Sequence, residues 1–158
     1  MSHDETESKV VHAKDIATLS GKRVLVIDDD LVGLGAMSQV LSSFGMSTTL
    51  AQSEARALEI AKDSGGFDFI LSDFRLSEDI DGITLIKKLL KLPGLQDVPS
   101  LIVTGDTAPT IVELIEQSRI DYMHKPVKPE LLGKKLEKLL KSSNYKTVSA
   151  ATGSTVIS

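Results

Sequence analysis

Apolar and polar positions in this chain fall into blocks of two kinds. Lys22 to Ile27 is a near-continuous apolar run, the pattern of a strand covered on both faces. Met46–Ala51, Phe67–Ser72, Val98–Val103 and Ile120–His124 read as further strands. Between them the apolar residues recur at helical spacing. Leu34, Met37, Leu41 and Phe44 share one face of a first helix, which Asp30 can cap and Gly45 can stop. Ser53 caps a second helix carrying Ala57, Leu58, Ile60 and Ala61, ended by Gly65-Gly66. After a polar loop from Ser77 to Asp81 comes a third, with Ile83, Leu85, Ile86, Leu89 and Leu90, closed by Pro93-Gly94. Asp106 or Thr107 can cap a fourth, with Pro109 in its first turn. Pro129 opens the last, with Leu132, Leu136 and Leu139 on one face.

Five strand-then-helix units predict an α/β fold, a doubly wound five-stranded parallel sheet with five helices. The folded unit should span about 21–141. Residues 1–20 are polar with weak periodicity, and 142–158 are rich in Ser, Thr and Ala, so both read as tails or linkers.

Composition narrows the chemistry. The chain has 158 residues, 41% apolar and 25% charged, as expected of one soluble domain. It has no cysteine, which rules out disulfides, thiolate metal sites and thiol catalysis. Its histidines are His3, His12 and His124, too scattered for a histidine metal site. With a net charge of −4 and no basic cluster among its few aromatics, a nucleic-acid surface is a poor fit for this chain alone. The N-terminus is acidic and lacks an apolar core, and no apolar stretch reaches the roughly 18 residues of a membrane span. A cytoplasmic protein is expected.

Reactive residues sit where the strands end. Val24–Ile27 runs into Asp28-Asp29-Asp30, Phe69–Ser72 into Asp73, Leu101–Val103 into Thr104, and Tyr122–His124 into Lys125. In such sheets ligands bind outside the carboxyl ends of the strands. Converging carboxylates repel one another, and a hard cation with oxygen ligands, Mg²⁺ above all, relieves this. A carboxylate beside Mg²⁺ and an ammonium suits phosphoryl transfer, with Asp73 as acceptor and Thr104 and Lys125 on the phosphoryl oxygens. Gly105 leaves room for the incoming group. Taken singly, each residue has a plainer explanation: Asp29 and Asp30 as helix caps, Asp73 as a loop residue, Thr104 as a strand end, Lys125 as a solvated lysine. The four strand ends together outweigh those readings.

These segments, with Asp81-Gly82, Val103-Thr104-Gly105 and Tyr122–Pro126, resemble the receiver domain of two-component response regulators over about residues 22–141. The resemblance implies a CheY-like sheet of order 2-1-3-4-5 and Mg²⁺-dependent phosphorylation of Asp73 by a histidine kinase or phosphotransfer protein. It implies a metal site of Asp28, Asp29, Asp73 and the backbone carbonyl of Arg75. Thr104 and Tyr122 would be the switch pair, and Lys125-Pro126 a cis bond. Output would be a downstream protein at the face of helix 4, strand 5 and helix 5, with phosphorylation-dependent homodimerisation an option. No catalysis is implied beyond weak autodephosphorylation. Phe74-Arg75-Leu76-Ser77 departs from the common Met-Pro pattern, and the stretch to Asp81-Gly82 is one residue longer than usual. In this the chain is most similar to receivers at the C-terminus of hybrid histidine kinases.

Arg75 and Asp106 lie two residues beyond Asp73 and Thr104, where they can tune the lifetime of an aspartyl phosphate or form a plain surface ion pair. His124 is expected to pack, Leu114 and Ile115 to be core, and Ile111 stays open. Two other functions compete. Asp28-x-Asp30 after a strand also suits a haloacid-dehalogenase-like phosphatase with Asp28 as nucleophile, but no Asp follows Asp121 to complete its metal site. A phosphorylation-independent interaction domain is disfavoured by the complete acidic set and Lys125.

Overall fold

The computed structural model describes residues 17–142, apart from positions 64 and 78. Five strands, β1 (Arg23–Ile27), β2 (Ser47–Ala51), β3 (Phe69–Asp73), β4 (Ser100–Thr104) and β5 (Asp121–His124), form one sheet. The order is β2-β1-β3-β4-β5, and every neighbouring pair is parallel. Helices α1 (Leu31–Ser43), α2 (Glu54–Asp63), α3 (Gly82–Leu89), α4 (Pro109–Ser118) and α5 (residues 129–142) connect and follow the strands. This is the doubly wound α/β fold expected from the alternation of strand and helix patterns.

The two faces of the sheet bury different cores. Leu25, Ile27, Ile70 and Ile102 point to the side covered by α2, α3 and α4, where they meet Ala57, Ile86, Leu89 and Ile115. Val24, Val26, Leu71 and Val103 point the other way, against Leu34 and Leu41 of α1 and Leu132 and Leu136 of α5. A strand buried on both faces has no polar face to show, which is why β1, β3 and β4 read as unbroken apolar runs.

Local chemistry sets the helix ends. Asp30 caps α1 through its side chain to the Val32 amide at 3.2 Å, and the Ser53 hydroxyl caps α2 on the Arg56 amide at 3.2 Å. Gly45 stops α1 with φ of +82°, a conformation that glycine enters freely. Asp81 caps α3 on the Thr84 amide at 2.8 Å.

Several expectations need correction. The helical run of α3 stops at Leu89, short of Pro93-Gly94. Neither Asp106 nor Thr107 caps α4: Ala108 occupies that position without a side-chain hydrogen bond, and Pro109 opens the helix. Leu114 is 44% exposed, whereas Ile115 is fully buried and Ile111 packs partly against the core. The apolar excess of α4 therefore faces outward at Leu114. His124 is exposed; it meets the Tyr122 ring edge-on, with centroids 5.6 Å apart, and fills no core position. At the front of the chain, a 3₁₀ turn, Ala17–Leu19, precedes β1, and Leu19 is fully buried in the α1–α5 core. The rest of the proposed N-terminal tail, and residues 143–158 of the C-terminal one, lie outside the described residues.

Candidate functional site

Strand register brings the reactive residues together. β1 and β3 pair Ile27 with Ser72, so Asp28 and Asp73 follow side by side. β3 pairs Asp73 with Val103, one residue before Thr104. β4 pairs Thr104 with His124, one residue before Lys125, and the Lys125 amide donates to the Thr104 carbonyl at 2.8 Å. Backbone pairing alone gathers residues from across the sequence at one edge.

Carboxylate oxygens of Asp28, Asp29 and Asp73 all lie within 4.8 Å of one another. Asp28 is buried, and its Oδ1 accepts from the Asp30 amide at 3.0 Å. Burial pushes the Asp28 carboxyl above the ordinary range, and the charges of Asp73 and Asp29 add to the rise; the Asp30 amide and Lys125 oppose it. The cap of α1 falls to Asp30.

The Lys125 ammonium lies 3.0 Å from Asp73 Oδ2 and 3.8 Å from Asp28 Oδ2. Burial pulls its pKa down, but the hydrogen bond to Asp73 and the nearby negative charges outweigh this and hold it above the ordinary lysine value. The Lys125–Pro126 bond is cis, as the resemblance implied.

Thr104 is fully buried at the end of β4, and its hydroxyl accepts from the Asp106 amide at 2.9 Å. Asp106 in turn takes a forked ion pair from Arg75, Nε to Oδ2 at 2.6 Å and Nη2 to Oδ1 at 3.2 Å. The pair links the loops after β3 and β4 beside the site. Arg75 also bridges backbone to Asp81, which shapes the loop following Asp73. Tyr122 is half-buried, with its hydroxyl donating to Glu116 Oε2 at 3.0 Å. In the sequence Glu116 is one of several polar residues on an amphipathic helix, and no motif marks it. Gly82 stands behind Asp73: a Cβ there would lie 2.4 Å from the Asp73 carbonyl oxygen.

The donor set fits a small hard cation. Three carboxylates share one edge with a single ammonium, a net negative cluster of oxygen ligands. Asp28, Asp73 and Lys125 also line a cavity of about 520 Å³ that continues along α1 to Val40 and to Leu132 of α5.

A model of the response regulator receiver domain matches residues 24–137. The chain belongs to this family. The receiver is 34% identical over 118 residues to the transcriptional regulatory protein ZraR of Escherichia coli, covering 74% of this chain and 26% of that protein. It is 29% identical over 107 residues to the two-component response regulator ORR3 of rice, covering 67% of this chain and 81% of that one. The chain thus spans about a quarter of the length of ZraR. A CheY-like receiver from Methanospirillum hungatei superposes with a TM-score of 0.69 at 26% identity, covering 80% of this chain and 99% of that one. The receiver domain of the sensor histidine kinase PA1611 from Pseudomonas aeruginosa, solved with magnesium in its active-site cleft, superposes with a TM-score of 0.68 at 25% identity, covering 77% of this chain and 99% of that one.

The receiver is a phosphoacceptor signalling domain of the two-component type. Receiver domains take phosphoryl groups from histidine kinases, act on downstream effectors, bind Mg²⁺ in an acidic cleft, and are in general switches, not enzymes. The phosphatase reading of Asp28 finds no support in these relatives. No helix among the described residues is long and apolar enough to cross a membrane.

Proposed function

We propose that Asp73 is the phosphoacceptor of this receiver and that its phosphorylation changes a partner-binding face. The observation that carries this is the position of Asp73, inside the carboxylate cluster and 3.0 Å from Lys125. In transfer from a phosphohistidine, a P–O bond forms to Asp73 as the P–N bond breaks, and the electron pair stays on the leaving imidazole nitrogen. Lys125, released from Asp73, pairs with a phosphoryl oxygen. The Thr104 hydroxyl gives up the Asp106 amide and donates to another. Asp28, Asp29, Asp73 and the Arg75 backbone carbonyl would hold Mg²⁺, which supplies charge neutralisation at the phosphoryl oxygens.

Thr104 and Tyr122 form the switch pair on this reading. They lie on the same face of adjacent strands, so a shift of Thr104 frees space for the Tyr122 ring. The donor is a histidine kinase or phosphotransfer protein in the cytoplasm. The downstream protein meets α4, β5 and α5, where Leu114 is exposed, and a second phosphorylated copy is one candidate for that face. Arg75 and Asp106 regulate the lifetime of the aspartyl phosphate by closing one side of the site to water.

Mg²⁺-dependent labelling by a small acyl phosphate tests the central claim. Wild type takes the label and Asp73→Asn does not. Absence of labelling in wild type, or equal labelling of both, overturns it.

A further inference from the structure

Tyr122 is tied down by a residue outside the acidic site. Its hydroxyl donates to Glu116 Oε2 at 3.0 Å, a bond that crosses the turn between α4 and β5. The turn aims Glu116: Arg119 ends α4 in the left-handed conformation, φ 64°, and its amide closes on the Glu116 carbonyl at 3.1 Å. The His124 ring stands at 89° to the Tyr122 ring. The register places Tyr122 beside Ile102 and His124 beside Thr104. An inward turn of the ring towards Thr104 therefore breaks the bond to Glu116. The same hydrogen bond, with burial and the Glu116 charge, holds the Tyr122 phenol above its ordinary pKa.

We propose that Glu116 is a positioning residue of the switch: its carboxylate holds the half-buried Tyr122 ring by its hydroxyl and sets the cost of an inward turn. The proposal rests on the reading of Thr104 and Tyr122 as the switch pair. A ligand that favours the inward ring must work against this bond, and removing the bond tightens that ligand by the same factor. For one exposed hydrogen bond the factor is about three- to tenfold.

The test uses the full chain with Mg²⁺ and beryllofluoride, which mimics the phosphoryl group on a carboxylate. Glu116→Ala binds beryllofluoride about three- to tenfold more tightly than wild type, and its Tyr122 ring resonances, assigned by their loss in Tyr122→Phe, move towards the bound positions before ligand is added. Glu116→Gln, which keeps an acceptor without the charge, falls between. In a Tyr122→Phe background Glu116→Ala has no effect on affinity. Unchanged or weaker binding by Glu116→Ala overturns the proposal, as does an effect that survives in Tyr122→Phe. Wild type that binds no beryllofluoride overturns the phosphoacceptor reading itself, and the positioning role with it.

Discussion

Lys125 reaches Asp73 at 3.0 Å across 52 residues of sequence, and Asp28 at 3.8 Å across nearly a hundred. One ammonium thus pairs with two of the three clustered carboxylates and leaves the cluster net negative. Lys125→Met should leave the fold intact, since the side chain is 41% exposed. It should slow labelling of Asp73 by about a hundredfold, the usual cost of removing one charge-stabilising donor. Rates of acyl-phosphate labelling check this, and a rate within a few-fold of wild type would refute it.

Asp28 gives a prediction whose sign depends on metal. Its carboxyl is raised by burial and by Asp73 and Asp29, so the folded state binds its proton more tightly than the unfolded chain does. The Asp28 contribution to stability is therefore greatest below the ordinary carboxylate range and is lost as pH rises through the raised value. At neutral pH in chelator, Asp28→Asn should melt higher than wild type by on the order of 3 °C. Adding Mg²⁺ should stabilise wild type and leave the variant nearly unmoved. Melting curves with and without the metal decide it.

Gly82 has no room for a methyl group. Its Cβ would lie 2.4 Å from the Asp73 carbonyl oxygen and 3.1 Å from Ser72 Oγ, and the first of these is backbone. Gly82→Ala should cost about 2–3 kcal/mol in urea unfolding and displace Asp73 enough to slow its phosphorylation. A loss of a few tenths of a kcal/mol would show that the loop yields.

The Arg75–Asp106 pair should matter to chemistry and not to stability. Arg75 is 68% exposed, so its ion pair contributes at most about 1 kcal/mol. Arg75→Ala should keep the melting temperature and shorten the aspartyl-phosphate lifetime by a few-fold. An unchanged decay rate would reduce the pair to a surface contact.

Leu19 tests where the domain starts. It is fully buried against the core between α1 and α5. Leu19→Ala should destabilise the domain by about 2–4 kcal/mol, measured by denaturant unfolding. No change would mean that the 3₁₀ turn is dispensable.

The sheet and the acidic site were legible because parallel strands advertise themselves twice. Val24–Ile27, Phe69–Leu71 and Leu101–Val103 are apolar throughout because both faces are covered, and each ends in the polar residue that the topology delivers to one edge. What stayed hidden depended on partners far off in sequence. Asp106 has the composition of a cap for α4, but Arg75 claims its carboxylate. Leu114 and Ile115 are adjacent apolar residues, and only the packing of α4 on the sheet tells which one is buried. Leu19 looks like a stray residue in a polar stretch until the α1–α5 core is seen around it. Glu116 bears on function through a single contact with Tyr122 that no spacing rule announces.

The strand order has a consequence for how the chain is built during synthesis. β1 lies between β2 and β3, and β4 and β5 then add in turn to the growing edge. A nascent chain can assemble this sheet in the order it leaves the ribosome, with no strand inserted between two already paired. The acidic residues that follow β1 and end β3 therefore belong to the part of the sheet that can pair before β5 is added. Lys125 arrives with the last strand, so the carboxylates gain this counter-charge only when β5 joins the edge of the sheet.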